Sequence, residues 1–274
     1  GTPQFAVPAL KKICESEIDI VAVYSQPPRK SNRGMKIEKS PVHEFADNNN
    51  LNIRTPSKLD NDWEYFKSLT FDLAIVVAYG QIILKNFLEI PEHGFLNIHA
   101  SILPKWRGAA PIQRSIMGQD TFTGISIMQI EEQLDAGPVL IKQEIELNEN
   151  STTGQVEQNL SEIGADKILE AIHLIEKKEA VYIPQDDNAA TYAKKIKKED
   201  ETIDWSRDAK AIIAQINALN PRPGACFEYR GEKIKIWKAS YGSGEGEPGT
   251  VMNDNLQIAC GKGSISVEEI QRPG

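Results

Sequence analysis

The chain has 274 residues, enough for one large domain or two smaller ones and for a substantial buried core. Its composition is ordinary for a globular protein, and a formal net charge of −8 argues against a general nucleic-acid binder while leaving room for local basic patches. The 3 cysteines are odd in number and have no CxxC spacing, which favours a reducing compartment. No apolar run approaches the roughly 18 residues that cross a bilayer, and no signal peptide is visible, so we expect a cytoplasmic protein.

The first third of the chain alternates between strand and helix patterns. Residues 1–3, Gly-Thr-Pro, form a turn that opens a helix to about Glu15. Residues 18–26 are a β-branched run, typical of a buried parallel strand. Alternating helices and strands follow at 41–49, 52–54, 62–68 and 71–80. This order predicts a parallel, doubly wound sheet.

Residues 27–39 interrupt this alternation with a basic segment that has no apolar period, so we expect a flexible loop. It carries Arg29, Lys30, Arg33 and Lys36. Such a run is usually a solvated surface loop. The alternative is contact with the phosphates of a nucleic acid, to which basic side chains supply affinity.

The stretch from Phe95 to Leu140 concentrates the residues that can do chemistry. Asn97 and His99 are two residues apart in an apolar run, so a strand would place both on one face. A loop rich in Pro and Gly follows, then a β-branched run, and then Asp135 in a turn-like Leu-Asp-Ala-Gly-Pro. Strand ends and loops of this kind build the sites of open α/β sheets.

These residue types suit acyl transfer from an amide-like donor to an amine. The amide of Asn97 and a protonated His99 can stabilise a tetrahedral oxyanion, and a carboxylate paired with an imidazole can move the protons. Structural alternatives exist, because His99 can be a satisfied core histidine and Asp135 an Asx-turn cap. No histidine has metal-ligand spacing, so we expect no metal site. An exposed Trp106 and Arg107 would suit a stacked or phosphate-bearing partner, although Trp106 can instead pack the loop against the core.

The remainder of the chain predicts a strand at 139–146, a long helix from about 152 to 177, and a second, smaller domain. A segment without clear period separates the two halves, followed by a helix at 203–220. Five short runs with Gly-rich turns then predict a small barrel, a fold that often binds nucleic acids.

Several motifs together resemble the folate-dependent formyltransferases, most closely the branch that acts on methionyl-tRNA. They are Asn97-Ile-His99, Ser101-Ile-Leu-Pro104, the segment Trp106–Pro111 and Leu134-Asp135-Ala-Gly137, with further matches at the N-terminus, at 192–205 and at 220–227. The resemblance implies a Rossmann-like, parallel-sheet α/β formyltransferase domain at 1–180, a linker at 181–200, and an OB-like β-barrel domain at 201–274. The family continues beyond both ends, so we expect truncation at each.

The resemblance also implies roles for individual residues. Asn97 and His99 would hold the formyl oxygen, and Asp135 would orient His99 and handle protons. The folate pocket would be lined by Ser101, Ile102, Leu103, Pro104, Gln81, Ile82, Ile83 and Leu84, although core packing explains the apolar residues at 82–84 equally well. The tRNA contacts would come from Arg29, Lys30, Arg33 and Lys36.

The implied enzyme is a metal-free monomer that uses 10-formyltetrahydrofolate as formyl donor and methionyl initiator tRNA as acceptor. The same trio of side chains also serves formyl transfer to a sugar nucleotide or another small amine, and hydrolysis of a formyl-folate. A third class, a catalytically inactive RNA-binding protein, is disfavoured by the intact Asn97, His99 and Asp135.

Overall fold

The computed structural model describes residues 1–31 and 36–273, with the side chains at 30, 31 and 36 outside that description. The helices are α1 Val7–Cys14, α2 Pro41–Asn48, α3 Trp63–Ser68, α4 Lys85–Leu88, α5 Pro111–Met117, α6 Thr153–Glu176, α7 Lys198–Glu201 and α8 Ala209–Ala218. The strands are β1 Val23–Tyr24, β2 Arg29–Ser31, β3 Lys36–Glu38, β4 Ile53–Arg54, β5 Ala74–Val76, β6 Phe95–His99, β7 Arg107–Gly108, β8 Phe122–Gln129, β9 Val139–Glu146, β10 Tyr192–Ala193, β11 Ala225–Tyr229, β12 Glu232–Tyr241, β13 Gln257–Ala259 and β14 Ser264–Gln271.

The chain divides into two compact units. The first comprises Gly1–Arg107, Gly124–Gln143 and Gln158–Ala190, and the second comprises Gly108–Thr123, Glu144–Glu157 and Thr191–Gly274. Each unit collects segments from several parts of the chain. The predicted domain boundaries at 180 and 200 stay a prediction.

The first unit is built on a sheet with the order β5-β6-β8-β9 and a separate parallel pair, β1 and β4. The pair β5 and β6 is parallel, with Val76 opposite Asn97, so the carboxyl ends of both strands reach the same edge. The pair β6 and β8 is antiparallel, with His99 opposite Ser126. The pairing of β5 with β6 is therefore parallel, as predicted, whereas the antiparallel pairing of β6 with β8 makes the sheet a mixed one. The sequence could not show this, because a buried apolar run has the same pattern in a parallel and in an antiparallel strand.

Local sequence explains how α2 and α6 are fixed around this unit. Ser40 caps α2 by accepting from the His43 amide at 3.1 Å, and Pro41 occupies its first position. In α6, a Cβ on Gly164 would lie 2.7 Å from a methyl of Ile98, so the absence of a side chain lets the helix approach β6 closely. The close approach of Gly164 to Ile98 helps to position β6, the strand that carries Asn97 and His99.

An apolar cavity of about 540 Å³ lies within the first unit. Its lining comes mainly from β1, β5, α1 and the segments that precede β1 and β5, with Ile172 and Ile175 of α6. Asn97, His99 and Asp135 are absent from the described residues that line it, so this cavity is distinct from the candidate active site.

The second unit packs α8 against a four-stranded antiparallel sheet of order β11-β12-β14-β13. Asp208 begins α8 by accepting from the Ala211 amide at 2.6 Å, and Ile212 and Ile216 are fully buried in the shared core. Of the five predicted strands, the run at 249–253 is reduced to one bridge between Val251 and Ile258. Its Gly-rich flanks explain this, because glycine disfavours extended pairing.

The predicted basic loop contains an antiparallel pair, β2 and β3, in which Lys30 lies opposite Ile37. The prediction of a loop without regular structure is therefore wrong for residues 29–31 and 36–38. Arg33 lies outside the described residues. Across the part of the chain that the structure covers, no helix combines the length and apolarity needed to span a bilayer.

Candidate active site

The last residues of β6 place two polar side chains at the carboxyl edge of the sheet. Phe95, Leu96 and Ile98 are buried, whereas Asn97 is half-buried and His99 is 5% exposed. Among the described residues, the side-chain amide of Asn97 has no hydrogen-bond partner. Its N–H donors are therefore available to a bound molecule.

A main-chain oxygen fixes the imidazole of His99. The Nε2 atom lies 2.9 Å from the carbonyl oxygen of Trp106, and a carbonyl can only accept, so Nε2 carries the proton in this contact. Trp106 has a φ of 64°, in the left-handed region that a non-glycine residue seldom adopts. The other ring nitrogen, Nδ1, takes no part in this contact.

Asp135 is the group that meets Nδ1. Its Oδ2 lies 3.6 Å from Nδ1 of His99, and only 6% of the histidine side chain and 13% of the aspartate side chain are exposed. This separation is longer than a hydrogen bond and within the range of an ion pair. The structure therefore brings Asp135 to the strand end that carries Asn97 and His99, although Asp135 is distant from both in the sequence.

The turn that carries Asp135 is held by its backbone. Asp135 has a φ of 49°, and the side-chain amide of Gln185 donates to the carbonyl oxygens of Asp135 at 2.8 Å and Gly137 at 2.7 Å. A Cβ on Gly137 would lie 2.0 Å from the carbonyl oxygen of Gln129, so glycine is required there. The Asx-turn alternative leaves the pairing of Asp135 with His99 unexplained.

Arg107 is fully buried, which makes the interpretation of an exposed binding residue wrong. Its guanidinium donates twice to Oε1 of Gln185, at 3.1 and 2.9 Å, and once to Asp187 at 2.7 Å. A buried cation needs such partners, and β7 points this side chain inward. Trp106 is half-buried.

The loop predicted to contact folate is internally bonded. Ser101 is buried and its hydroxyl donates to the Lys105 carbonyl at 2.5 Å, while the Leu103 amide donates to Ser126 at 3.0 Å. Leu103 is fully buried, whereas Ile102 and Pro104 are half-buried. The exposed atoms of this loop therefore belong mainly to Ile102 and Pro104.

The segment after β5 divides into buried and exposed residues. Ile83 packs in the core, and the Gln81 amide donates to the Pro56 carbonyl at 3.1 Å. Ile82 is 84% exposed and Leu84 is 44% exposed, so core packing does not explain them. Lys85 forms an ion pair with Glu132 at 3.0 Å, which places this segment beside the Asp135 turn.

Tyr79 is buried, and burial raises its pKa to about 12, so its phenol stays protonated near neutral pH. Over the described ranges, no cluster of three or more His, Cys, Asp or Glu side chains could hold a metal ion.

The predicted tRNA-binding residues are only partly described. Arg29 is exposed and its guanidinium donates to the Gln26 side chain. Lys30 and Lys36 have backbone positions in β2 and β3. Their roles stay a prediction.

Sequence reasoning missed Gln185 and the inward role of Arg107. Gln185 lies in the segment that we predicted to be a linker, where a lone polar residue gives no signal. The role of the Trp106 carbonyl also has no signal in the sequence, because every residue has a main-chain oxygen.

Comparison with known proteins identifies the class. Residues 1–172 match the family model described as "Formyl transferase", and residues 195–274 match "Formyl transferase, C-terminal domain". The chain belongs to the formyl transferase family. The predicted resemblance and the predicted two-part α/β fold class are confirmed.

Within this family, the chain is similar to methionyl-tRNA formyltransferases. A methionyl-tRNA formyltransferase from Pelagibacter ubique is 49% identical, over the whole chain and 90% of the relative. Two solved structures share the fold at 19% identity. They are a methionyl-tRNA formyltransferase from Clostridium thermocellum (TM-score 0.66, covering 99% of this chain and 96% of that one) and an N-formyltransferase from Helicobacter canadensis (TM-score 0.75, 100% and 97%).

Proposed function

We propose that the chain transfers the formyl group of 10-formyltetrahydrofolate to the α-amino group of methionyl initiator tRNA. The observation that carries this proposal is the convergence of Asn97, His99 and Asp135 at one sheet edge, in a chain whose relatives are named methionyl-tRNA formyltransferases. The trio supplies the acyl-transfer chemistry, and the relatives supply the acceptor.

In the proposed reaction, the methionyl amine attacks the formyl carbon and the formyl oxygen becomes an oxyanion. The amide of Asn97 donates to that oxygen, together with the Nδ1–H of His99 once Nδ1 has taken the proton of the amine. As the intermediate collapses, the bond between the formyl carbon and N10 of the folate breaks. The products are formyl-methionyl-tRNA and tetrahydrofolate.

His99 and Asp135 handle the proton in this scheme. The attacking nitrogen loses one proton, and the departing N10 gains one, so the pair only relays it. The 3.6 Å gap between Nδ1 and Oδ2 suits this role, because contacts of this kind shorten when substrate binds. The Trp106 carbonyl keeps Nε2 occupied, which leaves Nδ1 as the working atom.

The folate would lie against the exposed apolar side chains beside the trio. The exposed Ile82 and Leu84 would form one side of the folate site, and the half-buried Ile102 and Pro104 of the loop after β6 would form the other. An apolar wall with a few polar groups is the usual form of a cofactor site. Ser101, Leu103, Gln81 and Ile83 would support this wall from beneath.

The basic β2–β3 segment would bind the phosphates of the tRNA through Arg29, Lys30, Arg33 and Lys36. The C-terminal unit would add a second surface. We assign the reaction to a monomer in the cytoplasm.

The direct test mixes the protein, 10-formyltetrahydrofolate and methionyl initiator tRNA, and follows formyl-methionyl-tRNA. We expect fast product formation, with little reaction on free methionine and none on uncharged tRNA. Consumption of the folate without a formylated product would instead identify a hydrolase. Formylation of an amino sugar nucleotide, with the tRNA untouched, would identify the sugar-nucleotide alternative.

A further inference from the structure

We propose that Gln185 is a positioning residue that sets the distance between Asp135 and His99. The inference rests on the proposed function, because it concerns the same formyl transfer. Gln185 acts on the main chain of the turn that presents Asp135, and through that turn on the carboxylate.

The amide of Gln185 uses both of its donors on this turn. One N–H reaches the Asp135 carbonyl and the other reaches the Gly137 carbonyl, at 2.8 and 2.7 Å. The two acceptors lie at the two ends of a three-residue turn, so the amide bridges it. A non-glycine residue with φ of 49°, such as Asp135, persists where surrounding contacts hold it.

The orientation of that amide is fixed from the other side by Arg107. Two guanidinium donors converge on Oε1 of Gln185, which forces the NH₂ group toward the turn. Arg107 is fully buried and also bonded to Asp187, so it cannot swing away at low cost.

Arg107 connects this bridge to the other half of the pair. Its own peptide bond contains the Trp106 carbonyl that holds Nε2 of His99. A continuous path therefore runs from His99 through Trp106, Arg107 and Gln185 to the backbone of Asp135. Arg107 therefore acts on both partners of the pair. The peptide bond that precedes it holds the His99 imidazole, and its side chain orients Gln185, which holds the turn of Asp135.

The decisive variant is Gln185→Glu. A glutamate keeps the acceptors that Arg107 needs, so the buried cation stays paired. It removes both donors to the turn and sets a carboxylate against two carbonyl oxygens. The matched control is Gln158→Glu, the same replacement at an exposed position of α6.

We expect Gln185→Glu to lower kcat by roughly 10- to 100-fold, since a displacement on the order of 1 Å in a catalytic group costs about 100-fold. KM for the folate and for tRNA should stay within about twofold, because neither binding surface changes. The new carboxylate forms a charged pair with Arg107 while it loses both contacts to the turn, so the melting temperature should change by only a few degrees. Gln158→Glu should match the wild type in all three quantities.

A double-mutant cycle with Asp135→Asn separates positioning from general damage. If Gln185 acts only through Asp135, then adding Gln185→Glu to Asp135→Asn should cost nothing further in single-turnover rate. A multiplicative loss in that background, or a wild-type kcat in Gln185→Glu, would overturn the proposal. Formylation of the tRNA by the wild-type protein tests the proposed function separately. If the wild type only consumes the folate, the rates of the variants relative to the wild type are measured on that reaction instead.

Discussion

His99 illustrates how single residues are prepared for chemistry in this protein. A carbonyl oxygen holds one ring nitrogen at 2.9 Å, and a carboxylate faces the other at 3.6 Å. The neighbouring Asn97 keeps its amide donors available. The site therefore combines the fixed imidazole of His99, the carboxylate of Asp135 at ion-pair distance and the available amide of Asn97.

Replacing Asn97 tests the oxyanion role. We expect Asn97→Ala to lower kcat by about 10²–10³-fold, because the loss of one oxyanion donor costs that much. Steady-state formylation kinetics measure the effect. Asn150→Ala, at an exposed loop position, is the matched control and should leave kcat unchanged. A near-wild-type rate for Asn97→Ala would remove this residue from the mechanism.

Ile82 tests the folate wall. Its side chain is 84% exposed, so Ile82→Ala should leave the melting temperature unchanged. It should raise KM for the folate by roughly 5- to 20-fold, because part of an apolar side chain no longer covers the ligand. Ile83→Ala, a core position next to it, should instead lower the melting temperature. An unchanged KM in Ile82→Ala would place the folate elsewhere.

At the scale of elements, ion pairs tie short segments to their neighbours. In the second unit, Arg114 of α5 donates to both oxygens of Asp200 in α7, at 2.9 and 2.8 Å. Both side chains are mostly buried, at 20% and 24% exposure. The Arg114 guanidinium holds the pKa of the Asp200 carboxyl below its usual value.

This pair predicts an acid-dependent contribution to stability. Because the folded-state pKa is lowered, the pair stabilises the fold above the ordinary carboxyl pKa and loses that contribution as the pH falls through the lowered value. We expect Asp200→Asn to lower the free energy of unfolding by about 1 kcal/mol at pH 7, roughly 2–4 °C in Tm. The difference should vanish in strong acid. Thermal melts from pH 7 down to strong acid measure it, and a constant difference would contradict the assignment.

At the scale of the whole molecule, a chain of net charge −8 has to bind a polyanion. The basic segment that forms β2 and β3 offers a local solution, because Arg29 is exposed there and three more basic residues follow within it. Affinity gained from phosphate contacts falls with rising salt.

The charge of this segment is testable through salt dependence. Replacing Arg29, Lys30 and Lys36 with serine should raise KM for tRNA and reduce its logarithmic salt slope by about 0.7–0.9 for each phosphate that is no longer neutralised. KM for the folate should not change. The control replaces three exposed lysines elsewhere in the first unit with serine, namely Lys58, Lys67 and Lys177. An equal effect in that control would indicate a general charge effect instead of a binding segment.

The sequence predicted the parts of the site that follow from strand pattern. The spacing of Asn97 and His99 placed them on one face, and the turn chemistry of Leu-Asp-Ala-Gly-Pro placed Asp135 at an edge. It did not predict that Arg107 is buried, because a Gly-flanked arginine in a loop has the same pattern whether it points in or out. Gln185 was missed because the two oxygens that accept from its amide are backbone atoms 48 and 50 residues away.

The carbonyl of Trp106 has a consequence for how this site tolerates variation. A substitution at position 106 changes the indole but leaves the oxygen in place, provided that the new residue accepts a φ of 64°. Glycine and asparagine accept such a backbone readily, whereas β-branched residues do not. Among random substitutions at position 106, we therefore expect active variants to be those whose residue tolerates a positive φ, whether or not that residue is aromatic.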